Sequence, residues 1–378
     1  MKEVQEFLVS KQQSDPEHSE QWGRFQQLYD KRLWHELTIE ITEFLKEDFF
    51  KQNGGLVEIY EKFIKDFEHR LNPLSLTEMI LIVAQELKDP EDKLKLFEKT
   101  KERVKSNAEG IVLLLTSIGR VKLETNQMDD VKTVINEAQA KLDLFDNITS
   151  VHGRFYDLSS NYFMRAGSFN KYYRDALRYL GCMDFSQLPK SELQQRAFSL
   201  SLAALLGDEV FNFGELLAHE VLRALQGTEQ SWLVDLLYAF NSGDIKKFRE
   251  LEPKWQTQSD LQSNQQKLVE KITLLALMEL AFKRPSTERT IPFTTISEAT
   301  SMPLNEVELI VMKALSLGLV KGSIDEVDQV VNITWVQPRV LDLNQINNMN
   351  TVLGSWCEKV KSSVRMVENQ VPELLVSS

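Results

Sequence analysis

The chain has 378 residues, with 44 Lys and Arg against 56 Asp and Glu, a formal net charge of −12. Only 15 Gly and 10 Pro occur, few for a turn-rich all-β protein, while 42% hydrophobic and 26% charged residues exclude wholesale disorder. The acidic balance disfavours nonspecific binding to nucleic acid or anionic lipid, both of which reward a basic field.

The first residues, Met1-Lys2-Glu3-Val4-Gln5-Glu6, are too acidic for an export signal. The longest apolar run, Met79 to Ala84, falls far short of the ~20 residues of a membrane span. Two cysteines, Cys182 and Cys357, exclude a disulfide framework and fit a reducing cytoplasm or nucleus. The Asn147-Ile148-Thr149 and Asn332-Ile333-Thr334 triplets are then coincidental.

From about Trp22 to Arg284 apolar residues recur every three or four positions, as in Leu33, Leu37, Ile41, Phe44 and Leu45, or Leu56, Ile59, Tyr60, Phe63, Ile64 and Phe67. These are amphipathic helices, separated by short breaks such as Asn53-Gly54-Gly55 and Asn72-Pro73. Helix-stop and helix-start dipeptides stand at Lys88-Asp89, Met128-Asp129, Gly167-Ser168, Gly207-Asp208 and Gly243-Asp244, about every 40 residues, with the Asp or Ser expected to cap the next helix. That period with two helices per repeat predicts a solenoid of stacked helical hairpins.

After a long helix over Lys267 to Lys283 the pattern changes. Thr290 to Phe293 reads as a strand, Thr294 to Thr300 and Asn305 to Leu317 as helices, and Leu319 to Ile324 with Val330 to Val336 as a hairpin around Asp325-Glu326-Val327-Asp328. Alternation along the second arm places Val331, Ile333 and Trp335 toward the body. This is the order of a winged helix. Beyond Pro338-Arg339 a last helix, about Leu343 to Glu368, carries Ile346, Met349, Leu353, Trp356, Val360 and Val367 at a and d heptad positions, with Ser363 at the one polar d. So long an apolar seam requires a partner.

No metal, phosphate or nucleophile motif accompanies these elements. His18, His35, His69, His152 and His219 are too dispersed for a metal clamp, and no Cys-x-x-Cys, Gly-x-x-x-x-Gly-Lys, Gly-x-Gly-x-x-Gly or Gly-x-Ser-x-Gly occurs. Acidic pairs such as Glu47-Asp48, Asp129-Asp130, and Glu306 with Glu308 read as solvated faces and caps, and Cys182 as a small buried thiol. In the winged helix Lys313, Lys321 and Arg339 face twice as many acids, Glu298, Glu306, Glu308, Asp325, Glu326 and Asp328, so phosphate is repelled and protein contact is the expected use.

Helical repeats running into an acidic winged helix and a terminal helix resemble the PCI-domain proteins, scaffolding subunits of the proteasome lid, the signalosome and the translation initiation factor three complex. Several stretches resemble the lid members most: Tyr238 to Asp244, Glu306 to Leu315, Gly318 to Asp328, Trp335 to Leu341, Arg32 to His35, Phe67 to Leu76 and Ser150 to Leu158. The likeness covers essentially the whole chain, with residues 1–20 carrying little of it.

The resemblance implies a mostly α fold: an α-solenoid over 1–289, a winged helix over 290–341 with a small β-hairpin, and a bundle helix and tail over 342–378. It implies a non-catalytic scaffold of the 26S proteasome regulatory particle lid that supports assembly and ubiquitin-dependent degradation in cytoplasm and nucleus, without cofactor or metal. Its partners would be other PCI subunits, met through winged-helix edges, and the lid helical bundle, but neither nucleic acid nor membrane. The residues expected to meet partners are Thr334 and Val336 on the hairpin, and Ile346, Met349, Leu353, Trp356, Val360 and Val367 on the terminal helix. A signalosome-like complex and a winged-helix nucleic-acid adaptor are the alternatives.

Overall fold

A computed structural model describes residues 2–14, 18–45, 55–105, 107–183, 189–284, 288–340 and 343–370. The Glu47-Asp48 pair, the Asn53-Gly54 part of one expected break, and the tail beyond 370 lie outside them. The chain divides into two compact units, residues 1–184 and 185–378.

The first unit is helical throughout its described residues. It opens with α1 (Lys2–Ser14), α2 (Ser19–Asp30), α3 (Trp34–Phe44) and α4 (56–70), the last having a π-helical turn at Tyr60–Ile64. Their apolar faces close on an aromatic cluster. Trp22 and Phe25 each meet the Phe44 ring edge-on at 5.2 Å, and Trp34 stacks on Phe67 at 5.5 Å.

Next come α5 (Pro73–Glu86), α6 (Pro90–Arg103), α7 (Ala108–Glu124), α8 (Met128–Leu142), α9 (Ser150–Arg165) and α10 (Phe169–Cys182). Each successive pair packs as a hairpin, and the first helices of the pairs stack in turn, α5 on α7 and α7 on α9. This is the nearest-neighbour packing of a solenoid.

The expected caps are only partly realised. Among the helix-stop and helix-start dipeptides only the Asp244 side chain accepts backbone amides, those of Lys246 and Lys247 at 3.1 and 3.2 Å. Asp89 and Ser168 occupy N-cap positions without a side-chain bond. Pro90, at the first helical position, has already removed one free amide there. Asp129 lies inside α8, and Gly207-Asp208 leads into non-helical chain. The working caps are Asn72, which accepts from Leu74 N at 3.0 Å, and Asn107, which accepts from Gly110 N at 2.8 Å. At Thr149 the imidazole of His152 accepts the amide at 3.0 Å.

The second unit begins with α11 (Lys190–Leu206), α12 (Gly214–Ala218), a 3₁₀ turn (Glu220–Leu225), α13 (Trp232–Ser242), α14 (Ile245–Glu250), α15 (Glu252–Trp255), α16 (Ser259–Ser263) and α17 (Gln265–Lys283). α17 is its central post, buried on nearly every side and packed by α11, α13 and the winged helix. Gly243 ends α13 at φ 64, and a Cβ there would lie 2.7 Å from Ala276 Cα of α17, so only glycine permits this approach.

The winged helix comprises β1 (Thr290–Pro292), α18 (Phe293–Thr300), α19 (Leu304–Ser316), β2 (Val320–Asp325) and β3 (Val330–Val336). Its antiparallel sheet has the order β1-β3-β2. Ile291, Ile296, Val311, Ala314, Val331 and Ile333 form the core of this module. The final helix, α20 (Leu343–Gln370), extends slightly beyond its expected end.

Candidate functional site

The surfaces expected to meet partners all lie in the second unit. Strand order and register determine what the hairpin offers. β3 is the central strand, so β1 and β2 are the edge strands, and among the described residues the longer β2 has no strand partner on its outer side. This corrects the expectation that Thr334 lies on an exposed edge. Thr334 instead sits in a bulge: Lys321 pairs with Trp335 and Gly322 with Ile333, leaving Thr334 unmatched. Its hydroxyl donates to Lys321 O at 3.1 Å.

The bulge also corrects the expected facing of Trp335. An extra residue resets strand alternation, so Val331 and Ile333 turn inward while Trp335 turns out, 37% exposed. The Lys321 ammonium stands 5.0 Å from the centre of its ring. Val336 is half-buried. At Gly322 an added Cβ would fall 2.1 Å from Asn332 O, so glycine is required where the strands close around the bulge.

At the wing tip the Asp325 carboxylate accepts the Val327 and Asp328 amides, both at 3.1 Å, and so shapes the turn. Val327 is 93% exposed beside Glu326 and Asp328. On α19 the side that would enter a DNA groove presents Leu309 and Met312 to solvent with Glu306 and Glu308.

α20 exposes every expected seam residue. Ile346, Met349, Leu353, Trp356, Val360 and Val367 are between 44% and 62% exposed, and Val352 and Val364 widen the same face. An apolar face broader than a strict a/d seam suits packing against more than one helix. Cys357 on this helix is a free, exposed thiol, and Cys182 in the first unit is a half-buried one whose pKa is raised by burial.

The feature with no sequence signature is the chain between wing and helix. The Arg339 guanidinium is buried against the helical part of the unit, 2.5 Å from Glu279 Oε2 of α17 and 3.2 Å from Asn241 O in the last turn of α13. Arginine and glutamate at those positions look like surface charges until α17 is seen to be buried all round over 271–279. Among the described residues no group of His, Cys, Asp or Glu could hold a metal ion, and no helix is long and apolar enough to cross a membrane.

Two family models match the chain: the PSD13 N-terminal repeats over residues 21–237 and the PCI domain over 248–335. The 26S proteasome non-ATPase regulatory subunit 13 of Dictyostelium discoideum is 37% identical, covering 98% of each chain. Homolog B of that subunit from Arabidopsis thaliana is 36% identical, covering 98% of this chain and 99% of its own. The 26S proteasome regulatory subunit RPN9 of Saccharomyces cerevisiae is 32% identical over 94% of both.

Proposed function

The chain belongs to the family of the 26S proteasome non-ATPase regulatory subunit 13, and on that footing we propose that it is a non-catalytic scaffold of the regulatory particle lid. It works by position, in cytoplasm and nucleus, holding neighbouring regulatory subunits where ubiquitin-marked substrate is handled. In this reading residues 1–289 are the helical repeats, the winged helix over 290–341 meets a neighbouring PCI domain through the open edge of β2, and the helix over 342–378 joins a bundle. Thr334 and Val336, on β3, back the β2 strand one place in from that edge, and Ile346, Met349, Leu353, Trp356, Val360 and Val367 supply the bundle contact.

The observation that carries the reading is α20, a long helix with its apolar face turned to solvent. Burying one such side chain is worth roughly 1.5–3 kcal/mol before ordering costs, so the six seam residues give a gross drive on the order of 9–18 kcal/mol. Nothing in a soluble monomer is stabilised by leaving that face wet.

Affinity purification at moderate salt tests this. The full chain is expected to bring down proteasome regulatory subunits in stoichiometric amounts, and a chain ending before Leu343 to remain folded but lose them. Recovery of a signalosome-like set instead would replace the assignment, and misfolding of the shortened chain would mean that α20 packs on its own unit.

A further inference from the structure

We propose that Arg339 is a positioning residue that bolts the chain leaving the winged helix onto the helical part of the same unit, and so fixes the point from which α20 departs. The proposal rests on the scaffold reading, in which α20 must be presented to neighbouring helices in a defined place.

Four contacts converge on two consecutive residues. The Arg339 fork donates to Glu279 Oε2 at 2.5 Å and to Asn241 O at 3.2 Å, with only 8% of the arginine side chain and 10% of the glutamate side chain exposed. Asn241 O belongs to the negative end of α13, which adds to the attraction for a guanidinium. Lys283 lies 3.5 Å from the other Glu279 oxygen, so the carboxylate is held from both sides.

One residue on, Val340 N donates to Asn212 Oδ1 at 3.4 Å, and the same oxygen accepts from Gly214 N at 3.3 Å. Gly214 is pressed so close that an added Cβ would lie 2.8 Å from both Cβ and O of Val340. All of these partners come from α13, α17 and the segment around α12, and none from the sheet. A connector that only spans two elements needs no buried ion pair. A planar fork reading a carboxylate and a carbonyl together fixes direction as well as distance, which a lysine would not do.

The test uses the full chain with Cys182→Ser, spin labels on the native Cys357 of α20 and on Lys254→Cys of α15, and electron–electron distance measurements. A single narrow distribution is expected with Arg339 in place, broadened at least twofold by Arg339→Met while amide protection of Val331 and Ile333 stays unchanged. If Arg339→Met does not fold, Asn212→Ala, which removes the acceptor for Val340, is expected to broaden the distribution in the same way. Incorporation with other regulatory subunits should slow in step with the broadening. A parent chain that never co-assembles would sink the scaffold reading and leave the distance result standing. A distribution already broad in the parent, one equally narrow in the variants, or unchanged incorporation despite broadening would overturn the positioning role.

Discussion

Replacing Lys271 with methionine probes one of the two buried ionic side chains of α17. The Lys271 ammonium donates to the carbonyls of Ala204, Leu205 and Gly207 at 2.7, 3.1 and 2.6 Å, closing the C-terminal end of α11. It also lies 5.6 and 5.3 Å from the ring centres of Phe211 and Phe213. Burial nevertheless dominates and pulls its pKa from 10.5 to about 7, with Asp208 opposing. Methionine would leave the Ala204 and Leu205 carbonyls without this donor, while Val210 N still reaches Gly207 O at 3.4 Å. Two orphaned carbonyls at ~1–3 kcal/mol each put the loss near 3 kcal/mol where the lysine is neutral, at about pH 9. Because the folded pKa lies below the unfolded one, the unfolded chain holds one more proton between the two values. Stability therefore rises by about 1.4 kcal/mol per pH unit across that window. The advantage of lysine over methionine should thus shrink from about 3 kcal/mol at pH 9 toward zero near pH 7. Urea denaturation at pH 7, 8 and 9, followed by the fluorescence of buried Trp232 and Trp255, measures it. A difference independent of pH would refute the reasoning, since it would mean that the three carbonyls keep the ammonium charged throughout.

Four further outcomes are expected. Gly243→Ala places a Cβ 2.7 Å from Ala276 Cα at a left-handed residue, and should cost about 3 kcal/mol in denaturation midpoints, well beyond the ~1 kcal/mol of the backbone alone. Gly322→Val should abolish amide protection across β2 and β3 but leave α17 protected in hydrogen exchange, because its clashes fall on the β3 backbone at Asn332 and Ile333. Burial, and the bond its hydroxyl donates to Asp66 at 2.5 Å, push Tyr29 up to about 12, so its contribution is whole below pH 10 and lost as pH rises toward 12; Tyr29→Phe should flatten that alkaline loss in a pH-dependent denaturation series. Leu353→Asp with Trp356→Asp should leave the melting temperature of the isolated chain unchanged, since both side chains face solvent, yet abolish co-purification of partners.

Much of the winged helix was legible because its signals are local. Period-two apolar residues, a polar four-residue turn and Pro303 before α19 each act within a few positions, and the observed elements fall within one or two residues of the reading. The misplaced Trp335 shows where that logic stops. A bulge is decided by pairing across strands, and nothing within Val330 to Val336 announces that Thr334 will be skipped. Strand order has the same character: which strand is central depends on β1 arriving from far upstream. The caps failed for a subtler reason. An Asp or Ser at a helix start favours side-chain capping without ensuring it, and Asn72, Asn107 and the Thr149–His152 pair perform it from positions that the 40-residue rhythm passed over.

The buried charges carry a more general lesson. Lys271 and Glu279 stand eight residues apart on a helix whose other residues, Leu268, Ile272, Leu274, Leu275, Leu277 and Met278, are apolar over most of its circumference. Over 271–279 every residue of α17 is buried, so an ionic side chain there must find its partner inside: three carbonyls at one end, an arginine from the strand exit at the other. The first closes α11 and the second anchors the tail, which makes α17 the post to which both the repeats of this unit and the departure of α20 are referred. The same economy appears at the wing, where Asp325 is spent on two backbone amides while Glu326 and Asp328 stay exposed beside Val327. On α19 Leu309 and Met312 likewise stand exposed near Glu306, so both the wing tip and this helix set apolar side chains among acids.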